Sequence, residues 1–185
     1  EGSMKSSGLS VVALAALLVC AVLAAPRSSV AIEEGAAAPG FTLPATTGLD
    51  ISLADFKGKK WVFLEFYGSD RAHLSGEPLG QEADFRRFED LGIQILAVSA
   101  NTTFSQQTFA ESLKLPYPLL SDFPDRKVIR AYGILNDRTM TANRTFFLID
   151  PRGTIRKRWI VENPTTTVVY SDTLLRDIRA IIEKP

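Results

Sequence analysis

Trp61-Val62-Phe63-Leu64-Glu65-Phe66-Tyr67 is too apolar and too aromatic for a strand with one wet face, and it reads as a central strand buried on both sides of a sheet. Gly58-Lys59-Lys60 leads into it. Beyond it, residues 68–80 are polar and contain three glycines and a proline, which marks a loop. Glu82 to Leu91 then carries Phe85, Phe88 and Leu91 at helical spacing, Gly92 is suited to cap that helix, and Ile93-Gln94-Ile95-Leu96-Ala97-Val98 is a second buried strand. Strand, helix and strand in this order make a βαβ unit with a right-handed crossover, and a ligand is expected at the carboxyl end of its strands.

Working outward toward the N-terminus, Phe41-Thr42-Leu43 and Asp50-Ile51-Ser52-Leu53 alternate apolar and polar around Thr47-Gly48, which predicts a small entrance hairpin. Toward the C-terminus, Ser105 to Leu113 is expected to be a helix opened by a serine cap, with Phe104, Phe109 and Leu113 on one side. Pro116 and Pro118 end it. Leu119-Leu120 is a short strand, Arg126 to Tyr132 a short helix closed by Gly133, and Thr145 to Ile149 a strong strand. The turn composition of Asp150-Pro151-Arg152-Gly153 makes that strand and Thr154 to Val161 an antiparallel hairpin. Arg156-Lys157-Arg158 reads as a solvated edge whose charge discourages pairing. Asp172 to Glu183 aligns Leu174, Leu175, Ile178, Ile181 and Ile182 on one stripe of a closing helix. The expected fold class is α/β: a thioredoxin-like three-layer sandwich with a mixed central sheet, helices on both faces and an N-terminal β-hairpin.

At 185 residues, with 45% hydrophobic and 23% charged residues, the chain suffices for one well-buried core. Acidic and basic residues number 21 each, and no basic stretch is interleaved with aromatics, which argues against nucleic acid as a partner. Residues 1–3 precede Met4 and read as a cloning remnant. Residues 4–31 read as an export signal: Lys5, an apolar run from Val11 to Ala25, and a small-x-small site at Ser29-Val30-Ala31. The run is shorter than the roughly 20 residues needed to span a bilayer, so cleavage, a mature domain over 32–185 and a periplasmic or secreted location are expected. A retained anchor is the alternative. Cys20 is the only cysteine and lies inside the apolar run, so the mature domain has no sulfur nucleophile, disulfide or Cys-metal site.

Several ordered segments resemble the AhpC/TSA peroxiredoxin family, most of all its bacterioferritin-comigratory branch, over Gly35 to Lys184. They are Gly35-Ala36-Ala37-Ala38-Pro39-Gly40-Phe41-Thr42-Leu43, Asp55-Phe56-Lys57-Gly58-Lys59 with the aromatic strand, Tyr117-Pro118-Leu119-Leu120-Ser121-Asp122, Ala131-Tyr132-Gly133, and Arg144 to Gly153. Each is weak alone and the ordered set is specific. Asn143-Arg144-Thr145 lacks the proline that thioredoxins carry before the equivalent strand. The resemblance implies that Arg144 faces the active pocket, where a fixed guanidinium fork would lower a thiolate pKa and polarise a peroxide. An arginine paired with a nearby acid is the plainer reading.

The family's catalytic signature is proline, three residues, threonine, two residues, cysteine. Laid after Phe66-Tyr67, it puts the proline at Gly68, the threonine at Ala72 and the peroxidatic cysteine at Ser75, and all three are missing. A serine hydroxyl ionises far above neutral pH and has no counterpart of the sulfenic acid step, so it cannot take over the chemistry. Aligning Arg71 to Leu74 with the thioredoxin CxxC also finds no cysteine.

His73, with Asp70, Ser75 and Glu77 near it, is the sole histidine and is read as a solvent-facing loop residue. Asn101-Thr102-Thr103 and Asn143-Arg144-Thr145 match the glycosylation sequon and are read as turn and strand-entry residues. Residues 76–80 do not make a P-loop, no dinucleotide fingerprint occurs, and neither a cofactor nor a metal is expected. The expected function is that of an exported redoxin-like protein without thiol peroxidase turnover, a monomer or homodimer. Ser75, Arg144 and Tyr67 would line a remnant pocket for a small anion, a peroxide-like molecule or a protein partner. Two other readings stand beside it: a thiol peroxidase carried here as a Cys-to-Ser variant, and a non-catalytic interaction module.

Overall fold

The computed structural model describes residues 32–68, 82–161 and 171–183. Its centre is the apolar, aromatic stretch that starts at Trp61. Trp61–Phe66 forms β3, and Ile93–Ser99 forms β4 parallel to it, with Phe63 opposite Ile95 and Phe66 opposite Val98. Leu119–Ser121 (β5) continues the parallel side. Thr145–Ile149 (β8) lies antiparallel on the other flank of β3, and Ile155–Ile160 (β9) antiparallel to β8. The sheet order is β5-β4-β3-β8-β9, with β3 in the middle, as its apolar composition requires. Thr42–Pro44 (β1) and Asp50–Ser52 (β2) form the entrance hairpin.

Alternation along β3 divides the core in two. Val62, Leu64 and Phe66 join Leu96, Val98, Phe147 and Ile149 on one face. That face is covered by the entrance hairpin and by Val128 and Ile129 of the short helix α3 (Lys127–Ala131). Tyr132 packs there against Phe66 and Phe147, and its hydroxyl donates to the Pro39 carbonyl at 3.0 Å. Phe63 and Tyr67 face the other way with Ile95, Phe146 and Leu148. Phe88 of α1 (Glu82–Glu89), Phe109 of α2 (Thr103–Leu113) and Leu174, Leu175 and Ile178 of α4 (Ser171–Ile182) close that side. An Arg87–Asp172 ion pair of 2.7 Å ties α1 to α4. This is the α/β sandwich with a mixed sheet that the element order predicts.

Three details differ from the sequence reading. The cap of α2 is Thr102, whose hydroxyl accepts the Ser105 backbone N–H at 3.3 Å, so the helix starts two residues before Ser105. Its buried face is Gln106 and Phe109, while Phe104 stands 83% exposed and Leu113 is also exposed. The apolar pattern misplaces that face because Gln106 is held inside by partners on other elements. The edge of β9 is not simply solvated. Gly35 donates to the Ile155 carbonyl at 2.7 Å, Ile155 donates to Ala36 at 2.9 Å, and Lys157 pairs with Glu34 at 3.1 Å. Lastly, Leu135–Asn136 (β6) and Thr141–Ala142 (β7) form a miniature hairpin that periodicity did not suggest, since two-residue strands carry no period.

Candidate functional site

At the carboxyl end of β3 the chain runs from Phe66 into Tyr67 and Gly68 while β8 begins at Thr145, and Phe66 is the register partner of Thr145. Antiparallel pairing therefore sets Arg144, just before β8, beside the end of the central strand. The miniature hairpin fixes its approach: Asn143 donates its backbone N–H to Ile134 at 2.8 Å, and Val161 donates to the Arg144 carbonyl at 3.0 Å.

The Arg144 side chain lies over the Phe146 ring, with the guanidinium carbon 5.4 Å from the ring centroid, and its Nη2 reaches Oε1 of Glu65 at 3.2 Å. The Glu65 side chain is fully buried and that of Arg144 is 13% exposed. Glu65 shares its sheet face with Phe63 and Tyr67 and stands opposite Phe146 in the register. A carboxylate there is tolerable only with a cation against it. The sequence reading did not single out Glu65. The signal was present, because one acid inside a fully apolar strand demands a basic partner from elsewhere in the chain.

Tyr67 is buried in the core cluster on the same side of the sheet. Gln106 of α2 donates from Nε2 to the Tyr67 hydroxyl at 3.3 Å, to the Ser99 hydroxyl at 2.9 Å and to the Leu120 carbonyl at 2.8 Å. One side chain thus joins the ends of β3, β4 and β5, and this too escaped the sequence reading. A Cβ built on Gly68 would lie 3.5 Å from the Ala142 carbonyl oxygen, an ordinary contact, so sterics do not impose glycine at the expected proline position. Ala72, Ser75 and His73, along with the export segment, lie outside the described residues. Among the described residues, no group of three His, Cys, Asp or Glu side chains could hold a metal ion, and no helix is long and apolar enough to cross a membrane.

The sequence model of the AhpC/TSA family matches residues 35–158. The chain belongs to the AhpC/TSA family. It is 34% identical over 134 residues to the peroxiredoxin bcp of Coxiella burnetii, covering 69% of this chain and 88% of that one. Peroxiredoxin tpx1 of Schizosaccharomyces pombe is 31% identical over 164 residues, 83% of this chain and 84% of its own. Among solved structures, the reduced 2-Cys peroxiredoxin of Plasmodium vivax superposes with a TM-score of 0.71 at 25% identity, covering 81% of this chain and 96% of that one. The resemblance to the bacterioferritin-comigratory type of AhpC/TSA protein and the thioredoxin-like architecture both hold. Arg144 lies next to the carboxyl end of β3 and pairs with an acid, the plainer of its two sequence readings.

Proposed function

We propose that this AhpC/TSA protein is an exported redoxin-like protein that does not reduce peroxides by thiol chemistry, and that the end of its sheet around Arg144 and Tyr67 is a ligand pocket. The observation that carries the reading is the absence of any cysteine after Cys20. With Ser75, Ala72 and Gly68 at the positions of the family's cysteine, threonine and proline, no group can ionise near neutral pH to attack a peroxide oxygen and be oxidised reversibly. The scaffold and Arg144 remain, so what the site retains is binding: a small anion, a peroxide-like molecule or a protein partner. The apolar run in residues 4–31 supports export to the periplasm or medium.

Hydrogen peroxide consumption by the full chain, with dithiothreitol as reductant and a chelator present, tests this. No loss above the protein-free rate is expected. Turnover that survives chelation and disappears in Ser75→Ala overturns the reading. Ser75→Cys alone is expected to stay slow, because the threonine and proline of the signature are missing as well. A Ser75→Cys protein with rapid turnover would instead mark the serine as the sole replaced part of a working peroxidase.

A further inference from the structure

At the far end of the sheet from Arg144, where β3 starts and β8 ends, a cavity of about 230 Å³ opens beside the helical turn Leu53–Phe56 and the β8–β9 turn. Ile149, which lines it, is five strand steps from Arg144, roughly 17 Å. The floor is apolar: Val62 and Ile149 are partners in the sheet register, and Leu53 and Phe56 stand beside them. The space exists because the chain crossing it, at Ala37, Ala38 and Gly40, has no side chain long enough to fill it. Backbone hydrogen bonds pin the rim, from Ala38 to the Gly153 carbonyl at 2.8 Å and from Gly58 to the Pro151 carbonyl at 2.8 Å.

The lining is also cationic, since Lys57, Lys60 and Arg152 face a single acid, Asp150. That acid is committed to its own turn, where it accepts the Arg152 and Thr154 backbone N–H groups and faces Arg156 at 3.4 Å. The Arg152 side chain is 82% exposed and meets Asp150 only at 3.5 Å, so its guanidinium is able to turn toward a ligand. Neither Lys57 nor Lys60 has an ion-pair partner among the described residues.

The geometry points to a binding site for a small carboxylate with a compact apolar body, its ring against Val62 and Ile149 and its charge at Lys57, Lys60 and Arg152. The surplus of positive charge attracts an anion and repels a cation. A cavity of about 150 Å³ holds benzene, so this one takes a single ring with its head group. A ring on the floor releases water from apolar surface, while a carboxylate at the open rim keeps part of its hydration. Neither part suffices alone: a bare anion leaves the floor wet, and an uncharged ring makes no use of the cations. The site shares no residue with the Arg144 end of the sheet and stands or falls independently of it.

The test is a set of titrations of the full-length protein at low ionic strength, followed by the backbone amide 15N shifts. Sodium cyclohexanecarboxylate carries both parts, cyclohexanecarboxamide only the ring, and sodium acetate only the charge. The first is expected to give saturable shifts at Ala38, Lys57, Lys60 and Gly153, and the other two to bind at least about tenfold more weakly. Lys57→Gln combined with Lys60→Gln alters two exposed side chains, and it should weaken cyclohexanecarboxylate at least about fivefold while changing the carboxamide by less than about twofold. Carboxamide binding as tight as that of the carboxylate leaves the cations without a role and overturns the inference. Acetate binding as tight as that of cyclohexanecarboxylate does the same for the apolar floor. Saturable shifts confined to the Arg144 end of the sheet, or none with any probe, overturn it as well. Should the double variant lose the native spectrum, the order of the three probes in the unaltered protein still decides.

Discussion

Glu65 and Asp150 are both buried carboxylates at the borders of β3 and β8, and they are satisfied in opposite ways. Asp150 closes the β8–β9 turn. Its Oδ1 accepts the backbone N–H groups of Arg152 at 2.9 Å and Thr154 at 3.0 Å, and its Oδ2 faces Arg156 at 3.4 Å and Arg152 at 3.5 Å. Every partner lies within six residues. Glu65 is the next-to-last residue of β3, where the sheet ladder occupies the backbone, and it pairs with an arginine 79 positions away. An acid answered by its own turn stabilises that turn. One that requires a distant, buried arginine makes an arrangement that local folding does not supply, and here it lies toward the carboxyl end of the central strand.

The largest effect that could break this contrast is that of Arg144→Gln. Removing the arginine leaves Glu65 charged without its guanidinium in the centre of the sheet, which costs about 3–5 kcal/mol of unfolding free energy. Urea denaturation at pH 7 measures it. Glu65→Gln should cost less, because the arginine left behind is 13% exposed and can reach water. The double variant should be more stable than Arg144→Gln alone, because no buried charge is then left over. If Arg144→Gln costs less than about 1 kcal/mol, the pair is not the structural tie described above.

Asp150→Asn is the counterpart on the local side. Burial pushes the Asp150 pKa up, but the Thr154 N–H, the Arg156 guanidinium and the Arg152 N–H pull it down further, and the net shift is below the ordinary carboxylate value of 3.8. A depressed native pKa stabilises the fold above the unfolded-state value, and this stabilisation is lost as pH falls through the native value. The substitution should cost about 1.5–3 kcal/mol at pH 7, and the difference from the unaltered protein should vanish under strongly acid conditions. Denaturant titrations between pH 7 and pH 2 would follow it. A difference that grew on acidification would remove the turn from the comparison.

How much could be read from the sequence follows the same line. The turn at Asp150 to Gly153, the central strands and the closing helix were legible because composition and period are local signals. Arg144 was legible only through its resemblance to a family motif. Glu65 was missed because its partner is 79 residues away and no window of sequence contains both ends of such a contact, and Gln106 because the Tyr67, Ser99 and Leu120 groups that take its amide come together only through the fold. The miniature hairpin that aims Arg144 was missed because its strands are two residues each.

Asp122 sharpens the comparison with a smaller effect of the opposite sign. Its carboxylate accepts the Ile129 N–H at 2.8 Å, yet burial outweighs the backbone hydrogen bonds and its pKa is raised above 3.8. A raised carboxyl pKa favours the fold below the unfolded-state value, and that contribution is lost as pH rises through the native one. Asp122→Asn should therefore change stability by roughly 0.5–1 kcal/mol at pH 7. On acidification toward pH 4 the unaltered protein should gain on the variant, whereas it loses its lead over Asp150→Asn in more acid solution. Parallel unfolding curves for the three proteins check both slopes at once.

The smallest expected effect tests α2, where polar and apolar residues have exchanged their usual places. Gln106 is buried because Tyr67, Ser99 and Leu120 receive its amide, and Phe104, in the first turn of the helix, is 83% exposed. An exposed aromatic ring contributes little to folding, so Phe104→Ser should shift unfolding by no more than about 0.5 kcal/mol. Phe109→Ala, on the buried face, should cost about 3–5 kcal/mol. Equal losses for the two would restore the helix face that the apolar pattern suggests and detach Gln106 from Tyr67. The expected inequality keeps the tyrosine held from behind by a residue whose only sequence signature is an amide at a position the period assigns to neither face.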